Sequence, residues 1–238
     1  MFRRPDIERY HARMARIARW DRPLQGGWDR FRAWMSMIFV DHGVFRLFYL
    51  NKHSVDGQLF RAAQPWPHQI ARFARDGGKS IVYLRGGREH GSWPLEKEAA
   101  AAHGLLLTEF LARSREAPSR EMLRDAAGFF EKLPYPALIH CKSGADRAGF
   151  VAALYVLVHL KRPASEALQQ LHSRYGHFHW SKTGILDRFF ELYRDTGEAK
   201  GIPFEEWVET VYDPDTLQRD FKPGFWSNLL VDRVLHRE

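Results

Sequence analysis

The chain has a single cysteine, Cys141, and six positions on stands Arg147, with Gly144 between them. The surrounding segment reads PALIH, then CKSGADR, then AGFVAALYVL: an apolar run, a loop of small residues and an apolar helix. Small residues let a backbone turn tightly, so that successive N–H groups point inward. Such a nest, backed by a helix N-terminus, binds a phosphate dianion. The same field favours the thiolate of a cysteine. An arginine at the end of the loop can clamp two phosphate oxygens at once. A sulfur nucleophile, an amide cradle and a guanidinium clamp are the parts needed to transfer a phosphoryl group to sulfur.

With 27 Arg in 238 residues, a cysteine followed by an arginine at this spacing arises by chance about one time in nine. Adding Gly144 lowers that to roughly one in a hundred, and the strand–loop–helix context lowers it further. The plain alternative is a buried cysteine packing as a small hydrophobe, which leaves Gly144 and Arg147 unexplained. One cysteine excludes an intramolecular disulfide and a multi-cysteine metal site.

The loop must be held by the elements around it. Strands are expected at 58–64, 79–85, 105–111 and 136–140. Pro65 and Pro67 end the first, and helices follow each: HQIARFARDGG, WPLEKEAAAAHG, 119–133 with Ser119 as cap, and 146–160. Strands alternating with helices of this length indicate an α/β fold with a largely parallel sheet, whose ligands bind where strands end and helices begin. Further helices are expected at 164–175, 183–197 and 203–212. The C-terminal tail is mixed and includes Phe221, Phe225, Trp226 and Leu229.

The net charge is +7, and a net +5 of it lies in residues 1–33, which carry nine Arg against four acids. Arg9, Arg13 and Arg16 share one helical face, and Tyr10, Met14 and Ile17 another. Such a basic arm packs on the domain with its arginines in water, or meets an anionic surface. The most apolar stretch, residues 34–50, is interrupted by Asp41, His42 and Arg46 and is too short to span a bilayer; it can lie along a membrane surface. Residues 1–20 are charged throughout and lack the apolar run of a secretory signal, so none is expected there.

The segment HCKSGADRAG resembles the H-C-x5-R signature of the cysteine-dependent protein tyrosine and dual-specificity phosphatases. FRAAQP (60–65) and YLRGG (83–87) are similar to the smaller bacterial-type members. The resemblance covers about residues 57–197. It implies a phosphocysteine on Cys141, substrate phosphate held by Lys142, Ser143, Gly144, Ala145 and Arg147, no metal and no cofactor. It also implies that His140 tunes the thiolate from behind the loop.

Two positions depart from the family pattern. Ala148 stands where most members have Ser or Thr to help the thiolate leave. The loop after the third strand, 112–119, has no Asp to act as general acid. Glu116 is its only carboxylate, and Arg113 lies near where the acid is expected and can add positive charge at the pocket mouth. Asp146 is the other candidate, as acid or as an anchor for the loop. His172, His177 and His179 have metal-like spacing but no thiol nearby, and the carboxylate closest to them in sequence is Asp187, so a metal is the weaker reading; His177 or Lys182 can line the pocket.

The expected architecture is α/β: a central, largely parallel sheet of four to five strands flanked by helices, dual-specificity-phosphatase-like, with helical N- and C-terminal extensions. Its divisions are a basic arm (1–56), a phosphatase domain (57–197) and a C-terminal extension packed on it (198–238). The expected partners are a phosphorylated protein or phospholipid, with anionic membrane contact through the arm and no nucleic acid. The expected compartment is the cytoplasm or its membrane surface. Rivals are a rhodanese-like sulfurtransferase or arsenate reductase, a phosphate-binding module without turnover, and a basic membrane- or RNA-binding protein.

Overall fold

Parallel strands cannot be joined by tight hairpins, so each return path must cross a face of the sheet, usually as a helix. The computed structural model, which describes residues 4–222, follows this rule. Three helices come first: α1 (Arg4–Trp20), α2 (Gly26–Met35) and α3 (Gly43–Phe48). The strands are β1 (His53–Ser54), β2 (Leu59–Ala63), β3 (Ser80–Tyr83), β4 (Leu106–Glu109) and β5 (Ala137–Cys141), in the order β1-β2-β5-β3-β4. Four run parallel; only the β1 edge is antiparallel, to β2. The four-to-five-stranded, largely parallel sheet expected from the sequence is present.

Alternation along the strands splits the core in two. Ala62, Ile81 and Leu138 face α4 (Pro67–Arg75) and α5 (Ser92–Ala102) through Ile70, Phe73, Ala99 and Ala100. Leu59, Val82 and Ile139 face α6 (Arg120–Lys132) and α7 (Asp146–Leu154) through Phe130, Val151 and Leu154. β5 is buried at every position and lies between β2 and β3, so its last residue, Cys141, emerges at the centre of the sheet edge. Ser119 caps α6 by accepting from the Met122 amide at 3.3 Å, as its position predicts.

Several expectations need correction. Pro67 does not merely end a strand but opens α4 at its first turn, where its missing N–H costs nothing. The helix expected over 164–175 breaks after α8 (Ala164–Ala167) into short 3-10 turns. The Gln170 carbonyl accepts from Arg61, and a tertiary bond takes the place of a helical one. α9 (Ile185–Thr196) and α10 (Phe204–Thr210) are present, and α11 (Pro214–Asp220) is additional. Trp207 and Tyr212 are fully buried, stacked 5.1 Å apart against Phe189. Phe225, Trp226 and Leu229 lie outside the described residues.

The first helices are packed on the domain. Trp20, Ala33 and Met37 form a third core with Trp66 and Leu95. Arg13 and Arg16 pair with Glu89, and Arg30 with Glu98. Among the described residues, no helix is long and apolar enough to cross a membrane.

Candidate active site

Four residues, 142–145, join β5 to α7, and the carbonyls of the last three are taken up by side chains of the preceding chain. Asn51 Nδ2 donates to the Ser143 carbonyl at 3.0 Å. Arg61 Nη2 donates to the carbonyls of Gly144 and Ala145, both at 2.9 Å. In a trans peptide the C=O and the next N–H point in opposite directions. Pinning these three carbonyls therefore turns the amides of Gly144, Ala145 and Asp146 to the other side, beside the start of α7. Gly144 has φ +75°, and a Cβ there would stand 2.6 Å from the β2 backbone at Ala62 and Ala63. Only glycine fits so close an approach. Cys141 is buried at the strand end, and Arg147 reaches the segment just after β3 by donating from Nη1 to the Arg85 carbonyl at 3.2 Å. Lys142 and Ser143 are half-buried on the loop's flank.

Arg61 is the centre of this support. It lies in β2 opposite Ile139, has no exposed surface, and stacks 4.1 Å over the Tyr175 ring. Burial pulls its pKa down to about 10, while Cys141, Tyr175 and Asp146 oppose the drop. It therefore stays a cation at neutral pH. Asn51, in left-handed backbone at φ 51°, also donates to the Tyr175 carbonyl at 2.9 Å.

A buried polar chain runs behind Cys141. His140 Nε2 donates to Glu96 Oε1 at 2.5 Å, and Glu96 Oε2 accepts from Gln64 at 2.7 Å. Gln64 Oε1 accepts from Arg85. Arg85 grips Asp41 through two contacts of 2.8 Å, and Asp41 also accepts from Arg46 at 2.9 Å and Ser92 at 2.8 Å. Burial opposes the Asp41 charge, but Arg85 and then Arg46 hold its carboxyl well below the usual carboxylate range. Removing Glu96 takes a buried hydrogen-bond partner from both His140 and Gln64.

Asp146, at the start of α7, is buried and hydrogen-bonded to the 176–184 segment. Its Oδ1 accepts from His177 Nδ1 at 2.7 Å and from Thr183 Oγ1 at 3.1 Å. His177 Nε2 donates to Asp187 at 2.6 Å. Burial lowers the His177 pKa, but its hydrogen bonds to Asp146 and Asp187 outweigh that and raise it to about 9. A hydrogen bond from an imidazolium favours the ionised carboxylate. His177 thus ties the 176–184 segment to the loop. His172 accepts instead from the Arg174 amide, and no metal-binding group of three occurs among the described residues.

Arg113 and Glu116 are exposed and pair with each other at 2.9 Å. They line a groove of 730 Å³ with Glu109, Phe110, Met122 and Phe129, and none of residues 141–147 lines it. The structure therefore gathers Cys141 to Arg147 in one loop and sets Arg113 apart in that groove.

Sequence reasoning passed over Arg61, Asn51, Glu96 and Asp41. One signal was available for Arg61: a charge inside the apolar strand LFRAA, since arginine is seldom fully buried without a task.

No family model matches the chain. The inositol diphosphatase DSP4 of Arabidopsis thaliana is 28% identical over 161 residues, 65% of this chain and 76% of that protein. Among solved structures, TpbA of P. aeruginosa is 17% identical, over 71% of this chain and 89% of its own, with a TM-score of 0.49. The catalytic core of the PP-IP phosphatase SIW14 of S. cerevisiae, crystallised with citrate, is 20% identical, over 64% and 90%, with a TM-score of 0.49.

Proposed function

We propose that the chain is a cysteine-dependent phosphatase of the protein tyrosine and dual-specificity type, hydrolysing phosphomonoesters through a phosphocysteine on Cys141. One observation carries the reading: the carbonyls of 143–145 are pinned on one side of the loop by Asn51 and Arg61. Three amides are left for a phosphate next to the lone cysteine. The dianion sits on these amides, with Arg147 completing the cradle from the side of β3. Cys141 Sγ attacks phosphorus, the P–O bond to the leaving group breaks, and the negative charge on the equatorial oxygens is met by fixed donors. Water then attacks phosphorus, the S–P bond breaks, and inorganic phosphate departs. His140, gripped by Glu96, holds the strand end behind the sulfur. Asp146 and His177 hold the loop.

The fate of the leaving-group proton narrows the substrate. Asp146 is engaged by His177 and Thr183, and Glu116 by Arg113. Leaving groups that depart without protonation are favoured: an aryl oxide, or the phosphate end of a phosphoanhydride. The second case matches the diphosphatase activity named for the plant relative, and makes an inositol-diphosphate-like anhydride the second reading.

The test is vanadate-sensitive hydrolysis of nitrophenyl phosphate by the wild type and Cys141→Ser. Loss of activity in the serine variant is expected. Turnover that survives the substitution removes the mechanism.

A further inference from the structure

Residues 39–49 are built inside out. Phe39, Val40, Val44, Phe45, Leu47, Phe48 and Tyr49 are all exposed, Phe45 at 72% and Phe48 at 85%. In the same eleven residues the two ionic side chains, Asp41 and Arg46, are buried at 0% and 5% and bonded to each other. A soluble surface turn has the opposite arrangement, with charges outward and apolar groups inward. Monomeric proteins seldom leave so many large apolar side chains together in water.

The fold enforces this display. α2 gives way to a π-helical turn at Ser36–Val40, and His42 then takes left-handed backbone at φ 55° to start α3. Asp41 is pulled inward by Arg85, Arg46 and Ser92. With the polar positions drawn into the domain, the remaining positions of a short helical turn face outward. Trp28 and Phe31 of α2, which runs into this turn, are exposed as well and stack 5.4 Å apart.

We infer that this turn is a membrane seat: α3 and the preceding turn insert their phenylalanines into the interfacial region of an anionic bilayer. Charge complementarity selects that occupant. Residues 1–33 carry a net +5 of the chain's +7; Arg13, Arg16 and Arg30 meet Glu89 and Glu98 of the domain, while Arg9, Arg19 and Arg32 of this segment are exposed, and Arg32 and Lys52 flank the apolar turn in sequence. Aromatic and aliphatic groups entering the acyl boundary with basic groups at the headgroups is the usual composition of an interfacial element.

The seat is coupled to the candidate active site. Tyr49 Oη donates to Asn51 Oδ1 at 3.1 Å, and Asn51 Nδ2 donates to the Ser143 carbonyl. Two hydrogen bonds separate the exposed turn from the Cys141–Arg147 loop. The inference itself needs only the surface and stands apart from the reaction proposed above.

The experiment is flotation of the full chain with phosphatidylcholine vesicles, with and without phosphatidylglycerol, comparing wild type with Phe45→Ser/Phe48→Ser. Both residues are exposed, so the double variant keeps its fold, checked by thermal unfolding. The wild type is expected to float with the anionic vesicles, and the double variant to lose about tenfold or more in partition coefficient, as for apolar side chains withdrawn from lipid. Sedimentation of both proteins covers the remaining occupant. Absence of wild-type flotation, flotation unchanged in the variant, or a wild-type dimer that the variant converts to monomer without any lipid binding each overturns the inference.

Discussion

Substituting Arg61 by lysine removes the fork that turns the loop carbonyls away from the cradle. Arg61 reaches the carbonyls of Gly144 and Ala145 through one nitrogen and that of Gln170 through the other. An ammonium on a flexible stem cannot span all three. Hydrogen bonds from a charged donor contribute about 1.5–3 kcal/mol each, so losing two removes about 3 kcal/mol or more of the bias toward inward-facing amides. At about 1.4 kcal/mol per factor of ten, the competent loop falls about a hundredfold in population. The lower end of the range applies because Asn51 still holds Ser143 and the contact of Gly144 with β2 still limits its backbone. The assay is kcat/KM for nitrophenyl phosphate, at a temperature where a thermal melt shows Arg61→Lys folded. Phosphate protection of Cys141 against alkylation should weaken in parallel. A folded Arg61→Lys protein within a fewfold of wild type in both measurements would falsify the idea that pinned carbonyls set the cradle.

Three further outcomes are expected. His177 has its pKa raised from 6.5 to about 9, so its contribution to stability is complete below about pH 6.5 and is lost as pH rises through 9. The melting-temperature advantage of wild type over His177→Asn should shrink across that interval, and a constant difference would show that the imidazolium is not what the two aspartates hold. Asp146→Asn should lower rates equally for nitrophenyl phosphate and for phosphotyrosine, because an anchor serves all leaving groups alike; a loss confined to the more basic leaving group would make Asp146 the acid. Ala148 is fully buried and offers no hydroxyl to the departing thiolate, so a burst of nitrophenol should precede a slower steady rate, and Ala148→Ser should speed that rate. No burst and no effect of serine would place the slow step elsewhere.

What could be read from the sequence was local. The run PALIH, the small residues of CKSGADR and the apolar helix after them are contiguous. Their periodicities and turn residues predict strand, loop and helix without reference to the rest of the chain. Cys141, Gly144 and Arg147 were legible for the same reason: one loop carries all three. The parallel sheet followed from the alternation of apolar runs with helices. The helix expected over 164–175 failed because its pattern is helical, while its Gln170 carbonyl is taken by an arginine 109 residues away.

The orientation of the loop belongs to the tertiary structure. It depends on Arg61, 83 residues before Gly144, and on Asn51, 92 residues before Ser143. The charge inside LFRAA marks Arg61 as unusual, and Asn51 shows no pattern at all, but the role of each is defined by the carbonyls it meets. Asp146 reads as acid or anchor in the sequence, and its partner His177, 31 residues on, is brought to it only by the fold. In the same way the sequence marks residues 34–50 as apolar and able to lie along a surface, but which side chains face outward is decided where Arg85, 44 residues after Asp41, draws that carboxylate inward. Local propensity decides which residues form strand, loop and helix; which way a peptide plane or a side chain turns is decided by partners that only the folded chain brings within hydrogen-bond reach.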